Sequence, residues 1–436
     1  MKSKSLNPNR LAITLTLSFL LIGCGGDKPP SIWNGEANTK WYKESESEFT
    51  IKTAEQLAGF AKLVNEGNKF NGKTVKLERN IILNDTANWQ KWASTQPANA
   101  WTPIGIKDNF FEGTFDGGSF RVSGIYIINP DNFQGLFGRI TNGTIKNLGV
   151  TASYIKGDTA VGGLVGNNDG TVSNSYSNSI VVGKFRVGGL VGSNDGKINE
   201  SYSNSIVTGS RVGGLVGRNS GEIINSYSAG TVTGDTIVGG FSGANVNGTI
   251  SGSYSTATVL GVNNVDGNNV GGLVGAVTRD TIVGLSGSTG VGGFVGRNDG
   301  QIDHCYSTGA VTGTNVVGGL VANNTGSISN SYSTSAVDGK DSVGKMIVAG
   351  VTFVGGISGS GGLVGNNEGT ISESYSTGMV TGTNAVGGLV ANNVGSISNS
   401  YSTSTIMSKK DIVGGLVGIG GGKISNCYSS GPVTGK

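Results

Sequence analysis

The sequence predicts an all-β protein: a three-sided parallel β-solenoid with an N-terminal amphipathic capping helix. The first observation is composition, because 78 of the 436 residues are Gly and only 14% are charged. This bias fits neither a charged disordered chain nor collagen, since Gly does not fall at every third position. The second is a unit that recurs from Gly135 onward, mostly every 25 to 27 residues. No single unit can bury its own apolar face, so stacked units must form the core.

Residues 161–186 illustrate the unit. Residues 161–166 predict a short apolar strand, 167–170 a turn, 171–177 a second strand and 180–182 a third. Asn and Gly tolerate the positive φ that corners require. At about 4.8 Å per turn, roughly eleven or twelve turns would form a rod on the order of 55 Å long.

Stacking places like residues above one another in columns. Two apolar columns, starting at Leu164 and Val181, are predicted to form the core. The first is expected to include Leu273, from a shortened unit that begins at Val270. A third column starts at Asn168, and its stacked amides are expected to hydrogen-bond from turn to turn.

The N-terminus is typical of an export signal. Residues 1–23 combine a basic start with the apolar run 11–22, which is too short to span a bilayer. The run ends in Leu21-Ile22-Gly23-Cys24, which resembles the bacterial lipobox. That resemblance implies lipidation of Cys24 and anchoring at the cell surface, on the outer membrane in a cell with two membranes. The alternative is a plain secretory signal with a chance Cys.

Residues 24–48 are predicted to be a polar tether, 49–134 the cap and first coils, and 135–436 the repeat solenoid. Thr53 and Gln56 have the spacing of a capping box, and Gly67 can end the helix that follows. Strands are expected at 74–77 and 81–83. The helix would cover the open end of the rod.

Charge excludes several partners. Removing residues 1–23 takes away three of the 31 basic residues and leaves 28, equal to the 28 acidic residues. Nucleic-acid binding needs a basic excess, so no nucleic-acid partner is expected. No sequence pattern indicates a cofactor.

The repeats resemble a known motif. Gly163-Leu164-Val165-Gly166 and its copies resemble the GLUG motif, and residues 101–105 and 113–117 are similar to the segment that often precedes it. The resemblance covers about residues 50–436. It implies a bacterial cell-surface protein, similar to adhesins and to non-catalytic regions of secreted immunoglobulin-A peptidases. It names no ligand, because one scaffold hosts many functions.

Catalysis and metal binding are not expected. The acidic residues are scattered, and the column that contains Asp169 also contains Val394, which indicates a solvated turn. The corners also lack the spacing of calcium-binding nonapeptides.

The single His, His304, occupies the position of Asn174 in another unit. Neighbours on a strand point to opposite faces, so Asp303 and Cys305 are not expected to form a triad with it. Cys305 and Cys427 lie too many turns apart for a disulfide.

The candidate ligand-binding residues are a column of tyrosines. Cys replaces a flanking Ser at Cys305 and Cys427, which predicts that the flanks point inward and the tyrosines outward. Outward rings would offer flat apolar platforms with hydroxyl tips to sugars or proteins. The alternative is that the rings stack and only stabilise the rod. The column comprises Tyr176, Tyr202, Tyr227, Tyr254, Tyr306, Tyr332, Tyr375, Tyr401 and Tyr428.

Two irregular segments, 262–269 and 339–360, are candidate specificity loops or products of drift. The favoured function is a lipid-anchored surface binding or adhesion module for a glycan or protein ligand. The alternative is a structural spacer or self-assembling scaffold, because no helix follows the last predicted strand and an uncovered turn can pair end to end with another chain. A polysaccharide-active enzyme is the third hypothesis.

Overall fold

A computed structural model of the chain describes residues 30–106, 108–261, 290–313, 316–340, 345–348, 351–354, 359–409 and 412–435. Over these ranges, strands of successive turns pair in parallel and form a β-solenoid of about 13 turns. The predicted fold class is therefore confirmed. The solenoid thus has one or two turns more than the roughly eleven or twelve expected.

The first sheet has 21 strands in the described part of the chain. They are Glu48–Ile51, Thr74–Leu77, Thr114–Asp116, Phe137–Lys146, Val165–Ser173, Val191–Asn194, Lys197–Asn199, Val216–Asn219, Glu222–Ile224, Ser242–Asn245, Thr249–Ser251, Val295–Asn298, Gln301–Asp303, Val321–Asn324, Ser327–Ser329, Val364–Asn367, Thr370–Ser372, Val390–Asn393, Ser396–Ser398, Val417–Gly420 and Lys423–Ser425.

The second sheet has 26 strands in the same described ranges. They are Ile81–Ile82, Arg121–Ser123, Tyr126–Ile128, Gly149–Lys156, Thr159–Gly162, Tyr176–Val182, Phe185–Gly188, Tyr202–Gly213, Tyr227–Gly239, Tyr254–Ser255, Thr258–Gly261, Gly290–Gly292, Tyr306–Ser307, Val311–Gly313, Val316–Gly318, Tyr332–Ser333, Val337–Gly339, Gly359–Gly361, Tyr375–Ser376, Val380–Gly382, Ala385–Gly387, Tyr401–Ser402, Ile406–Ser408, Val413–Gly414, Tyr428–Ser429 and Val433–Thr434.

Like residues lie above like throughout the repeats. Val207 pairs with Val232, which pairs with Val259, and all three side chains are fully buried. The predicted apolar columns are thus the core. The register is set by burial, because a slip of one residue would turn every apolar side chain outward.

Asn168 and its equivalents form the asparagine ladder, a buried row that runs through eight turns. The Nδ2 of every member except the last, Asn393, donates to the Oδ1 of the next turn over 2.6–2.9 Å. The predicted amide stacking is therefore confirmed. The ladder comprises Asn168, Asn194, Asn219, Asn245, Asn298, Asn324, Asn367 and Asn393.

The position of the left-handed corner differs from the prediction. Residues 167–170, expected as a turn, continue within the strand Val165–Ser173 because Asn168 points inward. Positive φ occurs instead six residues after Asn168, at Asn174, and at the equivalent residues of other turns, with values of 47° to 56°. The residues in this corner are Asn174, Glu200, Asn225, Gly252, His304, Asn330, Glu373, Asn399 and Asn426.

The N-terminal helix α1 spans Ala54–Asn65 and is capped as predicted. The Gln56 backbone N–H donates to Thr53 Oγ1 over 3.3 Å, and the Thr53 N–H donates to Gln56 Oε1 over 3.2 Å. Gly67, with φ of 108°, follows its C-terminus. The buried face of the helix packs into the same core as the first turns. A single-turn 3-10 helix follows at Trp89–Lys91.

The predicted tether is shorter than expected. Ile32 forms a parallel bridge with Ile82, and Trp33, Trp41 and Tyr42 pack against the core. These aromatic side chains bury apolar surface that a solvated linker would expose. Residues 1–29, including the predicted signal peptide and Cys24, lie outside the described residues.

The unit predicted from Val270, with Leu273, also lies outside the described residues. The described turns on either side of it pair directly, since Gly239 pairs with Gly292 and Phe241 stacks on Phe294 at 4.6 Å between ring centroids. No turn therefore lies between Phe241 and Phe294, and the prediction for Leu273 falls outside the described residues. The insert 262–269 is likewise not described.

The second irregular segment is also an insertion between adjacent turns. Val337 pairs directly with Val380, on the next turn. Between them, Lys345–Val348 and Val351–Val354 pair antiparallel. The two insertions therefore leave the register of the rod unchanged.

The final Gly of each Gly-Leu-Val-Gly copy packs against one residue of the preceding turn. Where a larger residue replaces this Gly, the residue that faces it is smaller. A Cβ on Gly365 would lie 2.5 Å from Val316 Cγ1. Where Ala391 replaces the Gly, the facing residue is Gly359, whose Cβ would lie 2.6 Å from the Ala391 Cβ. The sequence analysis missed this exchange, which copies aligned one turn apart would have revealed.

Candidate binding face

The predicted tyrosine column is confirmed as a continuous stack, which we call the tyrosine ladder. Each of the nine tyrosines is the first residue of a strand, and Tyr202 pairs in register with Tyr227 of the next turn. Consecutive ring centroids are 4.7–5.1 Å apart and consecutive ring planes differ by 3° to 5°. The first ring rests on Gly149, where a Cβ would lie 2.4 Å from Tyr176 Cζ. The ladder runs from Tyr176 to Tyr428 through all nine predicted residues.

The expected flat platforms are wrong. The rise of one turn matches the distance at which aromatic rings stack, so each ring face lies against the ring of the neighbouring turn. Tyr428, on the last described turn, is 58% exposed, whereas the other eight are half-buried. The ladder therefore presents ring edges and hydroxyls. Among the described residues, none of these hydroxyls hydrogen-bonds to a protein group.

The serines that flank the ladder point inward, as predicted. Ser175 and Ser177 are buried, and the Ser175 backbone N–H donates to Ser201 Oγ of the next turn over 3.2 Å. Cys305 occupies the same buried position, and burial raises the pKa of its thiol to about 12. A thiol with that pKa is not a nucleophile at neutral pH. Because successive residues of a strand point to opposite faces, the inward-pointing residues on either side of each tyrosine direct its ring outward.

The ladder perturbs its own ionisation. Burial raises the pKa of Tyr227 above the ordinary 10.0, and the charges that Tyr202 and Tyr254 would acquire raise it further. The pKa values of Tyr306 and Tyr401 rise for the same two reasons. The hydroxyls of Tyr227, Tyr306 and Tyr401 are therefore protonated at physiological pH and can both donate and accept hydrogen bonds.

The surface beside the ladder carries almost no charge. We define the neutral face as the eight residues that start at each ladder tyrosine, such as 176–183 and 332–339. Asp338 is the only charged residue among these nine copies. The column next to the tyrosines is exposed and carries a run of Thr hydroxyls that the sequence analysis missed. This run comprises Thr256, Thr308, Thr334, Thr377 and Thr403.

The first sheet presents a different surface. Its outward side chains form ion pairs between or within turns, for example Lys197 with Glu222 at 3.1 Å and Arg218 with Asp195 at 3.1 Å. Exposed pairs of this kind add little stability, so their main effect is solubility. The neutral face itself thus holds only Asp338, whereas charged residues lie on the first sheet and just beyond the neutral face, for example Lys184 and Lys340.

The arrangement around His304 corrects one expectation. Asp303 Oδ2 lies 2.6 Å from His304 Nδ1, although neighbours on a strand should diverge. The left-handed conformation of His304 turns its side chain back toward Asp303. Cys305 points into the core, so the three residues do not converge on one site. Among the described residues, no group of three His, Cys, Asp or Glu side chains is placed to hold a metal ion.

Comparison with known proteins identifies the repeats. The model of the GLUG motif matches residues 208–233 and 287–312, so these two segments of the repeat array are similar to that motif. A protein of Evansella cellulosilytica, provisionally named a Gly-rich membrane protein, is 34% identical over 155 residues. The match covers 34% of this chain and 16% of that protein.

Among solved structures, the chain is similar to a protein of Bacteroides ovatus that is provisionally assigned as an immunoglobulin A1 protease. The two share 16% identity with a TM-score of 0.38, over 89% of this chain and 85% of the other. Within the described ranges, no helix is long and apolar enough to cross a membrane.

Proposed function

We propose that the chain is a non-catalytic binding or adhesion module of the bacterial cell surface, held there by a lipid on Cys24. Its ligand is a glycan or a protein that contacts the tyrosine ladder. The observation that supports this proposal is the row of protein-unpaired hydroxyls on an exposed, neutral face. A surface location is supported by the relative named as a membrane protein.

An array of glycans and matrix proteins, probed with the fragment from Ser31 onward, tests the binding function. The informative variant changes Tyr254, Tyr306, Tyr332 and Tyr375 to Phe, which keeps the rings stacked and removes four hydroxyls. We expect binding to fall by about tenfold or more, with an unchanged unfolding midpoint.

Unchanged binding in the Phe variant would contradict the role of the ladder. Absence of any ligand on the array would contradict the function. Release of reducing ends from a bound glycan would contradict the non-catalytic assignment and favour the polysaccharide-active enzyme.

The lipid anchor is tested separately in the full chain. Cys24→Ser should move the protein from the membrane fraction to the soluble fraction and abolish labelling with a fatty-acid analogue. Cys427→Ser is the matched control and should change neither. Membrane association that survives Cys24→Ser would contradict lipid anchoring.

A self-assembling scaffold is the second candidate, supported by the last described turn. Ile424 is 48% exposed there and Val433 is 44% exposed, whereas their equivalents in earlier turns are buried. Apolar side chains at an unpaired turn can join two chains end to end. Sedimentation should then show concentration-dependent dimers that Ile424→Lys abolishes, and a strictly monomeric chain would contradict this candidate.

A further inference from the structure

The geometry of the tyrosine ladder points to a specific class of ligand. We propose that the ladder and the neutral face bind an uncharged, extended polysaccharide that lies parallel to the rod axis, with about one sugar per turn. This inference rests on the proposed binding function and goes further by naming the ligand class and its orientation.

The first step is periodicity. The ring centroids repeat every 4.7–5.1 Å, so the hydroxyls repeat at the same interval along the axis. Nine turns give eight such steps, a row of roughly 40 Å at about 4.8 Å per step. A regular row of identical donors and acceptors matches a ligand that is itself periodic. An extended β-1,4-linked glycan advances by one pyranose ring per residue, a length close to one turn of this rod.

The second step is charge. Anionic glycans and phosphates are recognised by Arg and Lys, because charge-assisted bonds offset the desolvation of the anion. The neutral face has no Arg or Lys in any of its nine copies, and its single charge, Asp338, is acidic. A uronate or sialate polymer would lose water there without gaining a counter-charge. Lys197 and Arg218 on the first sheet are paired with carboxylates, and Lys340, which directly follows the neutral face, is paired with Asp338.

The third step is the kind of contact. Because the ring faces are covered, a sugar cannot stack on them and must meet ring edges and hydroxyls instead. The exposed hydroxyls of Thr308, Thr334 and Thr377 run beside the ladder and widen this strip. A protein interface usually centres on a cluster of large apolar or aromatic anchors. On this face the exposed large aliphatic side chains are Ile206, Met379, Met407 and Val433. Val433 is exposed on the last described turn, and Ile206 is several turns from the other three.

The fourth step is additivity. Every turn presents the same groups, so each added sugar that stays in register adds a similar contact. Affinity should therefore grow with ligand length until the glycan spans the ladder. A site that recognised a chain end, or a single turn, would saturate with the shortest ligands. Length dependence is the signature that separates an axial ligand from these alternatives.

The experiment is calorimetric titration of the fragment from Ser31 with neutral oligosaccharides of increasing length, drawn from β-1,4-glucan, chitin, mannan and xylan. Oligogalacturonates of matched length are the charged comparison. For at least one neutral series we expect each added sugar to lower Kd, with a plateau when the glycan has about nine units, one for each turn of the ladder. Oligogalacturonates should not bind.

Charge reversal of the face provides the matched variants. Thr308, Thr377 and Thr403 changed together to Lys should weaken the neutral series by about tenfold or more and create salt-sensitive binding of oligogalacturonate. Gln301 and Thr370 lie exposed in first-sheet strands of the same turns, and Val394 lies exposed between two strands of that sheet. Their change to Lys should leave the affinity for neutral glycans unaltered.

Length-independent affinity, or oligogalacturonate binding as tightly as the neutral series, would overturn this inference. So would failure of all four neutral series. If the array instead yields a protein ligand that depends on the tyrosine hydroxyls, the proposed binding function stands and the polysaccharide inference fails. If the array yields nothing, both fail.

Discussion

The exchange of side-chain volume between neighbouring turns makes a sharp prediction about stability. A Cβ on Gly359 would lie 2.6 Å from the Ala391 Cβ, well inside the roughly 3.5–4.0 Å of a favourable carbon contact. We predict that Gly359→Val alone costs about 1–3 kcal/mol through overpacking. Ala391→Gly alone should cost about 1 kcal/mol, because it removes a buried methyl group and loosens the backbone.

The double variant, Gly359→Val with Ala391→Gly, recreates the contact that Val316 and Gly365 form one turn earlier in the rod. Its cost should therefore be smaller than that of Gly359→Val alone, with a favourable coupling of about 2 kcal/mol. Urea unfolding followed by circular dichroism measures this, with midpoints compared because long repeat arrays need not unfold in two states. Gly421→Val is the control, since a Cβ there meets nothing within 4 Å. Additive effects of the two changes would refute the packing argument.

Three further predictions concern the ladders and the corner. Asn219→Leu should destabilise by about 2–4 kcal/mol, because the amide donor of Asn194 and the amide oxygen of Asn245 lose their ladder partner; exposed Asn204→Leu is the control, and an equal loss there would contradict it. Glu373→Gly should stabilise by about 0.5–1 kcal/mol, since Glu373 has φ of 47°; a lower thermal midpoint would count against this. Because the folded pKa values of Tyr202, Tyr227, Tyr306 and Tyr401 lie above 10.0, their stabilising contribution is complete below the pH at which unfolded tyrosines ionise and is lost as pH rises through the folded values. Equilibrium unfolding against pH should show this loss only above about pH 10, and a variant with these four tyrosines changed to Phe should show less of it.

Local and periodic signals were sufficient for most of the fold. The capping box at Thr53 depends on four consecutive residues, so it could be recognised without the structure. The asparagine and tyrosine columns follow from the repeat, because in-register stacking copies one position onto the next. The left-handed corner was misplaced because Asn168 and Asn174 are the same residue type. Only the direction of the side chain, which depends on the strand path, distinguishes them.

The candidate site was located from the sequence, but its chemistry was not. Exposure of the ring faces depends on the match between turn rise and stacking distance, which is a three-dimensional quantity. The unit at Val270 contains a good Gly-Leu-Val-Gly copy and lacks the Ser-Tyr-Ser strand, and that absence was the signal that it does not extend the tyrosine ladder. Trp33 and Trp41 are uncommon in solvated linkers, and this composition was the available sign that the tether packs on the rod.

The central claim is that equivalent residues of successive described turns lie one above the other, even across an insertion. Thr256 and Thr308 test it, because they are 52 positions apart in sequence and occupy equivalent places on adjacent turns. Both are changed to Cys in a Cys305→Ser, Cys427→Ser background and labelled with pyrene maleimide. The account predicts excimer emission equal to that of a Thr377→Cys, Thr403→Cys pair, which has no insertion between its turns. Monomer emission alone from the first pair, with excimer emission from the second, would show that the turns on either side of residues 262–289 are not stacked and would contradict the continuous ladder.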